Sequence, residues 1–600
     1  MANQHDPPFD VEEEGPDSFT REELQNAIQN YDAQRQRFDV APTTQQMLGP
    51  FTVFCLIMNR TIGTGIFTQP VNVLRETGSS GVALAVWCLA GIVILCVVVC
   101  WLELGLSVPI YNIFWNGAWT KVSTPRSGGD KNYLEYIFKR PRYLMSCVFG
   151  IVFIVFGNLA GNAIQLGIFM MTVVRGCHEE DTCFTRGEVV GWAVSALTLC
   201  ALINVFTRKY AIGINNILAV LKVLLLLAMA FTGIIYGSVN GNRCQQINWH
   251  TKDGTGKFGD IVLALFYAMY PYTGYEQPFY VLAEVSRPKK VFAKATIITM
   301  LFTAVLYPLV NVSYLCVTPY NENNPLPSNM ALAFFAGLGG SSSSDGRSGP
   351  ERGVSALLAL FTFGNLLAQT YTASRVKQEI AKEGILPWSL FFATGSTSIL
   401  SRLSSMGRPQ MAAVSNIDGH LEQVPIAATL LHWIFEVTLV LAVGLALPPS
   451  KSYRFLTHLY TFAVVGVLGL FTAGGLLYLK LDSLVAGTKS RNWRTKAAWK
   501  PWLDPLPTVL AVASLSLIVF ASFVRPSNVE PGSLPYYVGP TVGWLSVTLG
   551  IIWWLGLKYV QWKGRWELHT RRVPYIEIDE DGNYIQKVEF VEHERIPVVG

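Results

Sequence analysis

Charge is what this chain lacks. Only 14% of its 600 residues are Asp, Glu, Lys or Arg, against about a quarter in soluble chains. With 51% hydrophobic residues, that shortage excludes an ordinary soluble domain and leaves a protein dissolved in lipid. No face carries a strong excess of one sign. The net charge is +5, and the basic residues are spread over connecting segments, so nucleic acid is not an expected partner. Clusters of His, Cys, Asp and Glu at metal-ligand spacing, phosphate-binding glycine loops and serines with an identifiable base are all missing. No metal, cofactor or enzymatic reaction is therefore expected. Lysine is absent before Lys121, so the leading tail cannot accept a lysine-linked tag. Such tagging, and any cytosolic trafficking partner that reads it, must use the loops or the other tail.

What is present is a series of apolar stretches, each long enough to cross a hydrocarbon core of about 30 Å. The spans read as 49–75, 80–108, 141–174, 188–206, 211–236, 257–285, 293–318, 352–380, 424–447, 452–482, 506–525 and 534–562. This gives an all-α polytopic membrane protein: a polar acidic tail over 1–47, a transmembrane domain over 48–562 and a second tail over 563–600. The first span follows nearly fifty polar residues and does not read as a cleavable signal. Lys121, Arg126, Lys131, Lys139, Arg140 and Arg142 follow the second span, whereas Glu179, Glu180 and Asp181 follow the third. Basic loops stay on the cytoplasmic side, which places both termini there and suits a plasma-membrane protein.

The tails carry local signals. Thr20 and Glu23 have the spacing of a capping box, which allows a short helix in a segment whose composition otherwise favours disorder. Asp581-Gly582-Asn583 between two alternating segments reads as a hairpin. Most cysteines fall inside spans. Cys177 and Cys183, in the acidic outward loop, are expected either to form a disulfide or to remain two free thiols. Met330 to Leu338 is apolar but too short to span.

Two spans are interrupted. In "NRTIGTGIFTQP" the run Gly63-Thr64-Gly65 breaks the first, and in "LALFYAMYPYTGYEQPFYVLAEV" Pro271, Gly274 and Pro278 break the sixth. Non-helical backbone at membrane depth is tolerated where it is buried in protein or lines a cavity. Taken alone, Gly63 and Gly65 also fit close helix packing. Paired breaks five spans apart are what carriers built from inverted repeats place around a central site, with the second half-helix offering amides to a carboxylate. Buried charge accompanies the breaks. Lys222 lies mid-span, Glu276 follows the sixth-span break, and Arg60 precedes the first. Lys222 and Glu276 are the candidates for proton coupling, and a structural ion pair is the leading role for Arg60.

The motifs "IGTGIF" (62–67), "LELG" (102–105), "PRSGGDKNYLEYIF" (125–138), "GYE" (274–276) and "EVSRPKK" (284–290) resemble the amino acid–polyamine–organocation transporters. Within that superfamily they resemble the L-type branch and its fungal high-affinity methionine permeases. The resemblance implies a LeuT-type fold of two inverted five-helix repeats plus two helices. It implies import of L-amino acids by alternating access, with amides around Gly63, Thr64, Gly65 and Ile66 on the substrate carboxylate. Carbonyls near Thr61, Ile62, Tyr270 and Thr273 are expected to take the ammonium, and Tyr272, Gly274 and Tyr275 to shape the side-chain pocket. Lys222 matches a lysine that replaces a sodium ion of related carriers. A nutrient receptor on the same fold, or a carrier of cationic amino acids or polyamines drawn by Glu276, stands as the alternative. The family pattern runs almost directly from its "ELG" to its "P-x-S-G-G", whereas Ile110 to Pro125 intervenes here. That segment reads as an insertion or a gene-model error.

Overall fold

In the computed structural model, residues 18–598 are described except 116–117, 177–183, 241–243, 245–246, 251–256, 321–326, 328, 340–347, 406–413, 415–416, 418, 486–491, 526–533 and 579–583. Among them, nine helices are long and apolar enough to cross a membrane. The bent pair Pro50–Thr61 and Gly65–Thr77 makes a tenth. The shorter apolar helices Phe258–Tyr272 and Leu506–Ala521 occupy the positions read as the sixth and eleventh spans. The protein is an integral membrane protein. Its interruptions sit in the first and sixth spans, five apart, as a fold of two inverted five-span repeats and two further spans requires.

The first span turns by 46° at its break. The sixth ends its first helix at Tyr272 and resumes as the short turn Gln277–Tyr280. Two further spans are irregular. The third is split into Leu144–Phe156 and Ala160–Arg175. The tenth runs Pro449–Tyr460, then through a π-helical stretch Thr461–Leu468, then Gly469–Val485. The fourth, fifth, seventh, eighth, ninth and twelfth spans are Arg186–Phe206, Arg208–Val239, Pro288–Val317, Ser348–Ala381, Ile426–Ala446 and Val538–Gly564. Apolar Met330–Leu338 forms a helix of nine residues, too short to span, as its length requires.

Both tails fold together on one side of the membrane domain. Thr20 and Glu23 close the capping box of helix Arg21–Gln29. Strand Gln36–Val40 pairs antiparallel with Tyr584–Pro597, which pairs antiparallel with Trp566–Ile578. Leu24, Phe38, Val40, Val573, Tyr575, Val588 and Phe590 form the core of this unit. The described part of the first tail is therefore folded, against the disorder its composition favours. Its few apolar residues suffice because the other tail supplies the facing half. Asp581-Gly582-Asn583 lies outside the described residues, but the flanking strands are the predicted hairpin.

The sheet is held by charge. Lys382 Nζ, one residue beyond the eighth span, lies 2.6 Å from Asp39, 2.6 Å from Glu379 and 2.7 Å from Glu589. Those three carboxylates converge closely enough to hold a metal ion, and the ammonium of Lys382 occupies their centre. Arg572 lies 2.7 Å from both Glu379 and Glu589 and also pairs with Glu383. Arg126 and Lys131, from the segment after the second span, reach Glu379 and Glu383 respectively. Thus both tails, the loop after the second span and the end of the eighth span share one buried ionic network.

The intervening segment Ile110 to Pro125 forms an antiparallel hairpin, Ile110–Trp115 with Ala118–Ser123. Thr124 N–H donates to Pro109 O at 3.2 Å, so the insertion closes on itself and returns the chain to where a direct connection would continue. Its Tyr111, Ile113 and Val122 are buried beside Ile576 and Tyr584 of the tail sheet, giving it an apolar partner. On the opposite side, Cys244 and Cys316 form a disulfide. Sequence reading placed Cys316 inside the seventh span and left it unpaired. Cys177 and Cys183 lie outside the described residues.

Burial alone would raise the pKa of Glu589, but the neighbouring Lys382 and Arg126 outweigh it and hold the carboxyl below the ordinary carboxylate range. Its stabilisation is complete above an unfolded value of about 4.3 and is lost as pH falls through the lower folded pKa. Glu589→Ala removes one of the three carboxylates that hold each of Lys382 and Arg572, for which a loss of about 1.5–3 kcal/mol is expected. Thermal unfolding of the solubilised protein from pH 7 downward measures both effects. The wild-type midpoint should drop in the acid range, and the variant's should start low.

Candidate functional site

A helix that stops inside a membrane leaves amides and carbonyls without partners, so the site is best built from where these groups go. At the first break Ile62 N–H donates to Met58 O and Gly63 N–H to Thr61 O, both at 2.9 Å. The amides of Thr64, Gly65 and Ile66 make no hydrogen bond among the described residues. They open the half-helix Gly65–Thr77, where the helix dipole adds positive potential. At the sixth-span break, Thr273 returns its N–H (3.1 Å) and hydroxyl (2.7 Å) to Tyr270 O. Gly274 stands at φ +132°, a conformation glycine tolerates, and its N–H donates to Glu276 Oε2 at 2.7 Å.

The two breaks cross in contact. A Cβ on Gly274 would lie 2.7 Å from Arg60 Cγ and 2.9 Å from Thr61 N, and one on Gly65 would lie 2.9 Å from Pro271 Cγ. Every residue from Asn59 to Pro70 and from Ala268 to Leu282 is buried, so the cradle is closed on both sides. A separate cavity of about 290 Å³ lies on the side away from the tails, between Glu76, Phe266, Arg454, His458, Ile518 and Tyr536.

Asparagines from other spans bind the break. Asn162 Oδ1 accepts from Thr64 Oγ1 at 2.9 Å and Tyr270 OH at 2.6 Å, and its Nδ2 donates to Asn365 Oδ1 at 3.0 Å. Asn365 Nδ2 in turn donates to Arg60 O. Asn59 donates to Asn215 Oδ1 at 2.8 Å and Gly364 O at 2.9 Å. Tyr453 OH donates to Thr64 Oγ1 at 3.0 Å. Hydroxyl and amide groups thus surround a pair of free helix ends, which is an arrangement for a small zwitterion rather than for bond chemistry.

Residues 48–547 match the family described as amino acid permease. The chain belongs to that family. It is similar to the high-affinity methionine permease of Saccharomyces cerevisiae, 26% identical over 575 residues, covering 94% of this chain and 87% of that one. The low-affinity methionine permease of the same yeast is 26% identical, covering 60% and 61%. The human large neutral amino acids transporter small subunit 2 is 27% identical, covering 55% and 57%. Among solved structures, Mhp1, a nucleobase-cation-symport-1 family transporter in a closed conformation with bromovinylhydantoin bound, aligns with a TM-score of 0.43 and 12% identity, covering 88% of this chain and 96% of that one. The protein is an amino acid carrier, not an enzyme.

Within the permease, the other predicted residues fall as follows. Lys222 Nζ donates to Asn59 O at 2.7 Å, fixing the last turn of the first half-helix. Glu276 Oε1 accepts from Tyr460 OH and Gln277 Nε2, each at 3.1 Å. Arg60 finds no carboxylate at ion-pair distance among the described residues. Its guanidinium lies 5.4 Å from the ring of Tyr460, the residue that also bonds Glu276, and its Nε and Nη2 have no hydrogen-bond partner. Tyr272 OH donates to Trp87 O at 3.1 Å and its ring lies tilted against Tyr307, while Tyr275 and Trp101 meet at right angles. Asn59, Asn162, Asn365, Tyr453 and Tyr460 were missed as site residues from sequence. Their signal was a polar amide or phenol in an otherwise apolar span.

The glycines give a direct test. Gly65→Ala and Gly274→Ala each force atoms closer than side chains normally allow, and the second also strains the backbone, at a cost on the order of 1–3 kcal/mol. Amino acid uptake normalised to surface protein should fall by about tenfold or more, since 1.4 kcal/mol corresponds to tenfold. Gly474→Ala, with nothing within 4 Å of the added Cβ, should remain within about twofold.

Proposed function

We propose that the permease imports neutral L-amino acids, methionine among them, together with protons, by alternating access at the paired breaks. The observation that carries this reading is the set of unbonded amides of Thr64, Gly65 and Ile66 facing Pro271 to Gly274 across a few ångströms. A carboxylate on those amides and an ammonium near the carbonyls of Thr61, Ile62, Tyr270 and Thr273 satisfy both ends of an amino acid. Thr61 O already accepts one bond and Tyr270 O two, so the ammonium uses the second lone pair of Thr61 O and the carbonyls of Ile62 and Thr273.

The side-chain end is aromatic. Tyr272, Tyr275, Trp87, Trp101 and Tyr307 are buried there, and thioether sulfur packs well against ring edges. The names of the yeast relatives favour methionine in the same way. A cationic side chain is disfavoured, since Glu276 already accepts from Gly274, Gln277 and Tyr460 and Arg60 stands close by.

Lys222 is the coupling candidate with the clearest structural consequence. Protonated, it ties the fifth span to Asn59 O through a charge-assisted bond; deprotonated, it keeps two N–H donors but loses the charge that strengthens that bond. Glu276 shares the role across the sixth-span break. The basic residues after the second span lie on the tail side, which supports cytoplasmic tails in a plasma membrane.

Uptake of labelled methionine, with the other amino acids as competitors at two external pH values, tests the reading. Neutral L-amino acids should compete, lysine and polyamines should not, and uptake should rise at the lower pH. Lys222→Ala should lower uptake about tenfold or more and remove its pH dependence. Saturable binding without accumulation would favour the receptor alternative, and no transport of any amino acid by surface-expressed protein would overturn the proposal.

A further inference from the structure

Among the described residues several buried clusters of titratable groups lie outside the cradle and the tail network, and one of them reaches the interruption of the third span. Lys377 of the eighth span places Nζ 3.1 Å from His432 Nδ1 of the ninth. His432 Nε2 lies 3.4 Å from Glu436 Oε2, one turn further along the same helix, and makes no hydrogen bond there. A small imidazole rotation closes that gap. Glu436 Oε1 accepts the Leu159 N–H at 3.0 Å. All three side chains are essentially inaccessible.

The position of the cluster is what gives it meaning. Leu159 is the residue at the interruption of the third span, and Asn162, one turn on, holds Thr64 and Tyr270 of the cradle. Lys377 lies four residues, about 6 Å at 1.5 Å per residue, from the tail-side end of the eighth span at Ala381. The three groups therefore run from directly behind the cradle toward the tail side. Among the described residues the titratable groups they interact with are one another and Cys200 of the fourth span, and Lys377 Nζ also lies 5.9 Å from the centre of the Phe435 ring. The split third span and the first half of the tenth, which also pack against the ninth, bring no further charge to them.

The geometry points to a proton relay formed by Glu436, His432 and Lys377, leading from the turn behind the cradle toward the tail side of the permease. It rests on the proton-coupled reading above and adds the route. With the proton on Glu436, the cluster is a carboxylic acid, a neutral imidazole and an amine. The Glu436 O–H bond breaks as His432 Nε2 gains that proton, and the His432 Nδ1–H bond breaks as Lys377 Nζ gains its own. The product is a carboxylate, a neutral imidazole of the other tautomer and an ammonium. Net charge is unchanged, so the transfer avoids placing an isolated charge in the protein interior. Release from Lys377 to the tail side, reprotonation of Glu436 and a ring flip of His432 that restores the Nδ1–H tautomer complete a cycle of one proton.

Purified full-length permease in proteoliposomes tests this with labelled methionine, comparing accumulation under an imposed proton gradient with exchange at equal pH. His432→Gln, Glu436→Gln and Lys377→Arg should each lower gradient-driven accumulation by about tenfold or more while exchange stays within about twofold. Lys377→Arg is decisive, because arginine keeps the charge but does not release a proton. Retention of the full gradient response by all three variants overturns the relay. So does loss of exchange in the first two with an unaffected Lys377→Arg, which marks a purely structural ion cluster. If the wild type itself accumulates methionine equally with and without the gradient, the coupled reading fails, independently of the relay.

Discussion

A peptide group without a hydrogen-bond partner is costly in hydrocarbon, and this chain creates a run of them on purpose at mid-membrane. The whole arrangement around the first span follows from that constraint. Arg60 O and Asn59 O, exposed where the first half-helix ends, are taken by Asn365 and Lys222. Asn162 holds the hydroxyl of Thr64 at the start of the second half-helix. One group of donors is left open, the amides of Thr64, Gly65 and Ile66, and it is the group that a carboxylate satisfies best. On the proposed reading, a substrate carboxylate completes a hydrogen-bond inventory that the protein leaves unfinished.

The same bonds tie the first span to the third, fifth and eighth spans. Any motion of the first half-helix away from them must exchange Asn365 and Lys222 for water, so opening on one side and loss of these ties are a single event. The tail side carries a second restraint of a different kind. Lys382 and Arg572 bind the tail sheet to the end of the eighth span, and Arg126 joins the loop after the second span to the same carboxylates. Movement of that loop relative to the eighth span is consequently resisted by buried ion pairs as well as by packing.

Much of this could be read from the sequence, and the rest could not for identifiable reasons. Twelve apolar runs and two breaks five spans apart follow from hydrophobic length and from Gly and Pro in a lipid setting. The hairpin around Asp581 and the capping box at Thr20 follow from local turn and cap chemistry. Partner identity does not, because it depends on pairs far apart in the chain. Asn59 with Asn215, Gln36 with Glu592, and Cys244 with Cys316 leave no periodic trace. The ordering of the first tail was missed for the same reason, since the strand Gln36–Val40 is stable only against residues some 550 positions away. Arg60 invited a search for a carboxylate, and the structure gives it an aromatic ring instead.

The scarcity of charge noted at the outset also sorts the polar residues by task. Where the fold needs a fixed donor or acceptor at membrane depth it uses asparagine, whose amide keeps one charge state at every pH and whose bonds therefore persist. Among the described residues, the buried ionisable groups around the cradle include Lys222, Glu276 and Arg60, and those behind it Lys377, His432 and Glu436. Each is more expensive to bury than an amide of similar reach, so structural pinning alone does not account for the choice. Arg60 does not titrate and serves as a permanent field beside Tyr460 and Glu276. Lys377, His432 and Glu436 run from the interruption of the third span toward the tail side. A neutral amide frame enclosing a small set of ionisable groups is the division of labour that the proton-coupled reading proposed above calls for.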